Sequence, residues 1–280
     1  MKVLKNILIK GKHQKDFFAD IFYIEGQQPK PVIVFSHGFK GFKDWGHFNL
    51  IASRFANAGF VFVKFNFSHN GTSLEKPDEF VDLEAFGHNN FHIEIDDLGS
   101  VVEFILNTKN EFYSEIDVNK LFLLGHSRGG GISILKAWKD NRIKKLATWA
   151  SVNEFGKFWT PEVMEQWKQD KVMYVLNSRT KQELPMYYSA YEKFYNEKHL
   201  FDIPKAVKEL KIPFLIIHGT ADTTVDFSQA ETMQSWNSNA ELFSIENGDH
   251  TFGGKHPYKN EKLPLHTEMA IQKTIAFYLN

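Results

Sequence analysis

Leu121-Phe122-Leu123-Leu124-Gly125-His126-Ser127-Arg128-Gly129-Gly130 is the stretch that decides the fold. Four consecutive apolar residues read as a strand buried on both faces. The segment 130–138 behind them has helical spacing. Between the two lies Gly-X-Ser-X-Gly. A sharp strand-to-helix turn there forces Ser127 into a strained backbone and lifts its hydroxyl above the sheet. Gly125 and Gly129 leave out side chains that would strike the neighbouring strand and helix. The helix N-terminus brings free N–H groups and a positive dipole end to the same spot, where negative charge would develop.

Working outward, the same alternation recurs. Residues 3–9 and 17–24 read as an antiparallel hairpin around Gly11-Lys12-His13. Val32-Ile33-Val34-Phe35 is a second buried strand, followed by Ser36-His37-Gly38. Segment 49–58 has helical spacing and stops at Gly59, and 60–67 is a strand. Residues 91–106 form a helix. Strands follow at 146–150, 213–217 and 241–245, and a helix at 265–279. This order predicts an α/β fold with a mainly parallel sheet covered by helices on both faces. Only 152–210 breaks the rhythm. It is read as a small inserted cap of helices, which divides the chain into a core of 1–151 with 211–280 and a cap of 152–210.

A Ser hydroxyl needs a base to act as a nucleophile. Among 12 histidines, His250 is singled out by its place in Asn247-Gly248-Asp249-His250-Thr251-Phe252, after the last strand and before the last helix. An acid must orient that imidazole. Asp222 follows a strand in His218-Gly219-Thr220-Ala221-Asp222, giving the chain order Ser, Asp, His. Asp249 is the competing acid, but a residue adjacent to His250 points elsewhere and suits a turn. Two N–H donors are expected to hold the oxyanion. One belongs to Arg128, the other to Phe39 in Ser36-His37-Gly38-Phe39-Lys40-Gly41.

His37-Gly38-Phe39, Gly125–Gly129, His218–Asp222 and Gly248–Phe252 occur in the order found in the α/β-hydrolase superfamily, which the chain resembles from Val32 onward. Within it the chain is similar to the dienelactone-hydrolase-like and feruloyl-esterase-like branch. That branch also carries a His-Gly-Phe loop and a modest cap. Segment 66–73 resembles its Asp-X-X-Gly-X-Gly-X-Ser loop, with Asn66 and His69 as departures. The resemblance implies a serine esterase acting on short-chain or aryl (cinnamoyl-type) esters. An aminopeptidase or acyl-peptide hydrolase of the same fold is the alternative, with Glu154, Glu162 and Glu165 as residues to hold an amine. A hydrolase fold without activity, serving as a ligand receptor or scaffold, is the third.

The bulk numbers agree. Lys and Arg total 33 and Asp and Glu 34, so no basic excess points to nucleic acid. With no cysteine there is no disulfide, thiolate metal site or Cys nucleophile. No stretch approaches the roughly 20 apolar residues of a membrane span, and a cytoplasmic protein is expected. His88 and His92 have a spacing that can bind metal from one helix face, but no third ligand accompanies them. No dinucleotide or phosphate-loop fingerprint occurs. No cofactor or metal is therefore expected, and the partner is a small-molecule ester. Asp96 and Asp97 read as helix surface charges. The cap carries Phe155, Phe158, Trp159, Trp167, Tyr174, Tyr187, Tyr188, Tyr191, Phe194, Tyr195 and Phe201. Of these, Trp159, Tyr187, Tyr188 and Tyr191 are the candidates to line a substrate pocket.

Overall fold

The computed structural model describes all residues except Gln27, Phe158 and Ser178. Eight strands form one sheet: β1 (Lys2–Ile9), β2 (Phe17–Tyr23), β3 (Lys30–Ser36), β4 (Val61–Phe65), β5 (Ile116–His126), β6 (Ile143–Trp149), β9 (Phe214–Gly219) and β10 (Ala240–Ile245). Their spatial order is β1-β2-β4-β3-β5-β6-β9-β10. β2 runs antiparallel to both neighbours, and from β4 to β10 all pairs are parallel. Parallel strands cannot be joined by tight hairpins, so helices cross over each face. α1 (Phe48–Asn57) and α9 (Leu265–Leu279) cover one face. α3 (Phe91–Ile105), α4 (Arg128–Lys139), α7 (Ile203–Glu209) and α8 (Ser228–Trp236) cover the other. α2 (Leu83–His88) precedes α3. Two-sided cover is why β3 and β5 carry unbroken apolar runs where they cross the middle of the sheet.

The segment 152–210 leaves the sheet between β6 and β9, but it is not all helical. α5 (Pro161–Asp170) is followed by an antiparallel hairpin, β7 (Val172–Asn177) with β8 (Gln182–Tyr187), and then α6 (Tyr188–Asn196). The expectation of a purely helical cap is corrected here. In β7, Met173 and Val175 are half-buried while Tyr174 and Leu176 are exposed, the period of two that a strand lying over a core imposes. α7 also departs from the cap assignment. Ile203, Ala206 and Val207 are fully buried in the core shared with α4 and α8, the place of a crossover helix.

Asp97 was expected on the surface and is instead buried. It shares a face of α3 with Ile93 and Val101, four residues to either side, and its Oδ2 accepts the Ser68 N–H at 2.7 Å. Asp96 is half-buried and pairs with His13. No described helix is long and apolar enough to cross a membrane.

Candidate active site

The end of β5 and the start of α4 hold Ser127 at φ 56° and ψ −123°. This is a conformation that L-residues other than Gly adopt at a cost of about 1–3 kcal/mol. It is enforced from both sides. The Ser127 N–H donates to Trp149 O on β6 at 2.9 Å, and Gly130 N–H donates to Ser127 O at 2.9 Å. A Cβ on Gly125 would stand 2.4 Å from Gly129 O, and one on Gly129 would stand 2.4 Å from Ser36 O. No side chain fits either space.

His250 and Asp222 converge on Ser127 from the loops after β10 and β9. His250 Nε2 lies 3.0 Å from Ser127 Oγ, and His250 Nδ1 lies 2.8 Å from Asp222 Oδ2. A carboxylate only accepts, so Nδ1 carries the proton and Nε2 is left to accept from the hydroxyl. Asp222 Oδ1 accepts the N–H groups of Thr224 and Val225 at 2.8 and 2.9 Å. Burial alone would push the Asp222 carboxyl up. Hydrogen bonds from His218 and His250 outweigh it and hold the group well below the usual carboxylate range. His218 is a partner that sequence reasoning missed. Its Nε2 lies 3.2 Å from Asp222 Oδ2 and donates to Val225 O at 2.8 Å. The signal was available, since His218 stands four residues before Asp222 at a strand end. Asp249, the competing acid, does not reach His250. It is exposed, and its Oδ1 accepts from Thr251 and Gly253 N–H within its own turn.

Two further histidines shape the site. His126 Nε2 donates to His250 O at 2.9 Å, tying the His250 loop to the Ser127 turn. Burial pushes its pKa down to about 3, so it stays neutral. His37 receives the Phe67 N–H at Nε2 and donates from Nδ1 to Gly38 O at 2.9 Å. Burial pushes it down to about 4. Gly38 is packed so closely on Ser127 that a Cβ there would stand 2.9 Å from Ser127 Cβ. This brings the Phe39 segment beside the start of α4. Among the described residues, neither Phe39 N–H nor Arg128 N–H has an acceptor.

Ser127 and His250 open into a cavity of about 920 Å³. Phe39, Phe42, Trp45 and Phe80 form one wall, and the cap closes over it with Trp159, Met173, Val175 and Met186. Of the four candidate pocket aromatics, only Trp159 lines this cavity. Tyr187 and Tyr191 line a small adjoining pocket of about 20 Å³, and Tyr188 lines neither. The Tyr187 hydroxyl donates to Glu84 on α2 instead, at 2.6 Å. Phe158 lies outside the described residues. The hairpin residues Met173, Val175, Arg179 and Met186 were not foreseen as lining, because the hairpin itself was not. Glu154 is the only lining carboxylate among the described residues. His88 ends α2 and pairs with Glu84. His92 lies in the first turn of α3 and pairs with Glu197, so the two share no helix face.

Residues 19–237 match the BD-FAE family. The chain belongs to this family of esterase/lipase-like α/β-hydrolases. The match runs from β2 to the end of α8 and so takes in Ser127 and Asp222. A solved structure of Est1E from Butyrivibrio proteoclasticus with ferulic acid bound is 16% identical, with a TM-score of 0.74 over 98% of each chain. The acylaminoacyl peptidase of Pyrococcus horikoshii is 15% identical, with a TM-score of 0.68 over 100% of this chain and 42% of that one. Both likenesses are of fold. A Mycoplasma genitalium protein named as an esterase/lipase is 28% identical over 123 residues, 44% of this chain and 38% of that protein. The chain thus aligns with well under half the length of this curated relative.

Proposed function

We propose that this BD-FAE family member hydrolyses carboxylic esters of short-chain or aryl type through an acyl-enzyme on Ser127. The observation that carries the reading is the unbroken line Asp222–His250–Ser127, at 2.8 and 3.0 Å, opening into an apolar cavity. His250 Nε2 takes the hydroxyl proton as Ser127 Oγ attacks the ester carbonyl. The imidazolium so formed is stabilised by the Asp222 carboxylate, which hydrogen bonds keep charged. The oxyanion is held by the Phe39 and Arg128 N–H groups, which have no competing acceptor. His250 then gives its proton to the leaving alcohol, and water activated by the same base releases the acid.

The cavity is of the size that encloses a small ligand. Its aromatic wall suits a planar acyl group, and the ferulic acid bound by Est1E is a ligand of that kind. The test has two parts. A fluorophosphonate should label the protein at Ser127 and fail to label Ser127→Ala. Among acetyl, butyryl, cinnamoyl and palmitoyl esters of one alcohol, kcat/KM should rank palmitoyl last. Absence of labelling would turn the reading toward a receptor or scaffold, and palmitoyl in first place would refute the substrate class. The peptidase reading has Glu154 in the cavity and the P. horikoshii neighbour in its favour. A preference for amino-acyl amides over every ester would establish it.

A further inference from the structure

The whole chain is electrically balanced, with 33 Lys and Arg against 34 Asp and Glu. The cavity is not. Among the described residues, Lys40, Arg128, Arg179 and Lys255 line it, and Glu154 alone opposes them.

Arg128 is the most enclosed of the four, with its side chain 14% exposed. Its Nε donates to Glu94 Oε2 at 2.9 Å, and the other oxygen of Glu94 accepts from Asn89 Nδ2 at 2.8 Å. The guanidinium carbon lies 4.5 Å from the Phe91 ring centre and 5.3 Å from that of Phe39. Phe91 is in turn stacked on Phe155 at 3.9 Å. The group is thus fixed at one nitrogen and flanked by two rings. Its terminal Nη1 and Nη2 have no hydrogen-bond acceptor among the described residues. A guanidinium held in this way presents a planar pair of donors, the geometry that matches a carboxylate. Arg179 and Lys255 are exposed and have no ion-pair partner among the described residues. Charges of one sign around an apolar cleft focus the field into it and raise the encounter rate of the opposite sign.

We infer that the substrate carries an anionic group besides the scissile ester, recognised by the Arg128 fork and drawn in by Arg179 and Lys255. This rests on the ester-hydrolase reading and narrows it to acidic esters. It also weighs against an aminopeptidase, because a substrate ammonium would meet Lys40, Arg179 and Lys255, with Arg128 already paired to Glu94, against Glu154 as the one lining carboxylate among the described residues.

Two arms keep the inference and the reading apart. In the turnover arm, monomethyl esters of terephthalic and adipic acid are compared with their neutral carbamoyl isosteres. The acid forms should show kcat/KM about tenfold higher, as expected for a charge-assisted pair. The advantage should shrink with added salt, because charges at an open rim are screened. Arg128→Met should abolish most of the acid preference, and Arg179→Glu with Lys255→Glu should remove its salt dependence. In the binding arm, the same esters and the para-phosphono analogue of the aryl one are titrated into Ser127→Ala by calorimetry. Tighter binding of the acid supports the anion subsite even if no ester is turned over, in which case only the ester reading fails. Tighter binding of the phosphono analogue supports the subsite and assigns it to phosphate-type anions. Equal affinity for acid and carbamoyl forms overturns the inference, even where both esters are hydrolysed.

Discussion

Lys43 Nζ lies 2.9 Å from Asp20 Oδ2, and both side chains are buried. Lys64 Nζ lies 2.6 Å from the same oxygen and 2.8 Å from Asp44 Oδ1. Asp20 and Lys64 belong to β2 and β4, whereas Lys43 and Asp44 belong to the loop that leaves β3 toward Phe39. Asn66 Oδ1 adds a bond to Lys43 N–H at 2.6 Å, and Asn70 Nδ2 one to Gly41 O at 3.2 Å. Asn66, which departs from the esterase loop pattern, therefore serves to anchor the loop that carries Phe39, the residue proposed as the second oxyanion donor.

Removing one member leaves an uncompensated buried charge. Lys43→Met should destabilise the protein by about 3–5 kcal/mol, while Lys43→Met combined with Asp20→Leu should cost less, since Lys64 and Asp44 remain as a balanced pair. Thermal unfolding of the single and double variants checks this. A double variant no more stable than the single one would show that the four charges do not act as a unit. At temperatures where Lys43→Met remains folded, kcat/KM should fall, because the loop carries both the Phe39 N–H proposed to hold the oxyanion and the cavity residues Phe39, Phe42 and Trp45.

The strained turn at Ser127 carries a stability cost of its own. Ser127→Ala and Ser127→Gly should both lose activity on the order of 10⁴-fold or more. They should differ in stability. Ala keeps a Cβ at φ 56°, whereas Gly tolerates that region. Ser127→Gly should therefore be more stable than Ser127→Ala by about 1 kcal/mol. Equal melting temperatures would mean that the turn is not strained in solution.

The assignment of the acid is open to a direct comparison. Asp222→Asn should lower kcat by about 10⁴-fold, because it unsettles the tautomer that leaves Nε2 free to accept. Asp249→Asn should stay close to the parent, since an Asn oxygen can still accept from Thr251 and Gly253. A greater loss from Asp249→Asn would reassign the acid.

Burial pushes the Asp97 carboxyl up to about 7. An unfolded Asp titrates near about 3.9. Between these values the folded state binds the extra proton, so this group lowers stability as pH rises from about 4 to 7, and the cost is level above that. Asp97→Asn keeps an oxygen for Ser68 N–H and removes the charge. It should raise the melting temperature at pH 8, and the gain should vanish near pH 4. A gain that grew toward acid would reverse the argument.

The alternation of strands and helices was legible in the sequence because the central strands β3, β5 and β9 are buried on both faces where they cross the sheet and so stand out as unbroken apolar runs. The Ser127–Asp222–His250 line was legible because each member sits in a short motif at a strand end. The β7–β8 hairpin was not. Its alternation of Met173 and Val175 with Tyr174 and Leu176 lies among aromatic and charged residues, and its turn lacks the Gly or Asn-Gly signal of a tight hairpin. Lys181 takes the positive φ there, at 60°. The buried quartet was hidden for a different reason. Asp20, the adjacent pair Lys43 and Asp44, and Lys64 lie about 20 residues apart in the chain, and only the pairing of β2 with β4 and the path of the loop after β3 bring them together. Asp97 was misread although the helical phase was visible, because a pair of adjacent carboxylates suggests solvent more strongly than phase suggests burial.

The cap aromatics divide into those that face the cavity and those that hold the cap, and two substitutions should separate them. Trp159 lines the cavity and meets Tyr191 edge-on at 4.9 Å. Tyr188 lines no cavity and packs on Trp167 at 5.9 Å and on Tyr191 at 5.9 Å. An aromatic contact is worth about 0.5–1.5 kcal/mol beyond the area it buries, so losing one to a planar acyl group should cost roughly tenfold in rate. Trp159→Ala should lower kcat/KM for cinnamoyl esters by about that factor and leave acetyl esters, too small to reach the ring, within about twofold. Tyr188→Ala should instead loosen the cap, lowering the melting temperature and changing both esters alike. The measurement is the cinnamoyl-to-acetyl ratio of kcat/KM in each variant. If that ratio moved in Tyr188→Ala and stood still in Trp159→Ala, the acyl group would have to run toward α6 and the adjoining pocket, and Trp159 would be a packing residue of the cap.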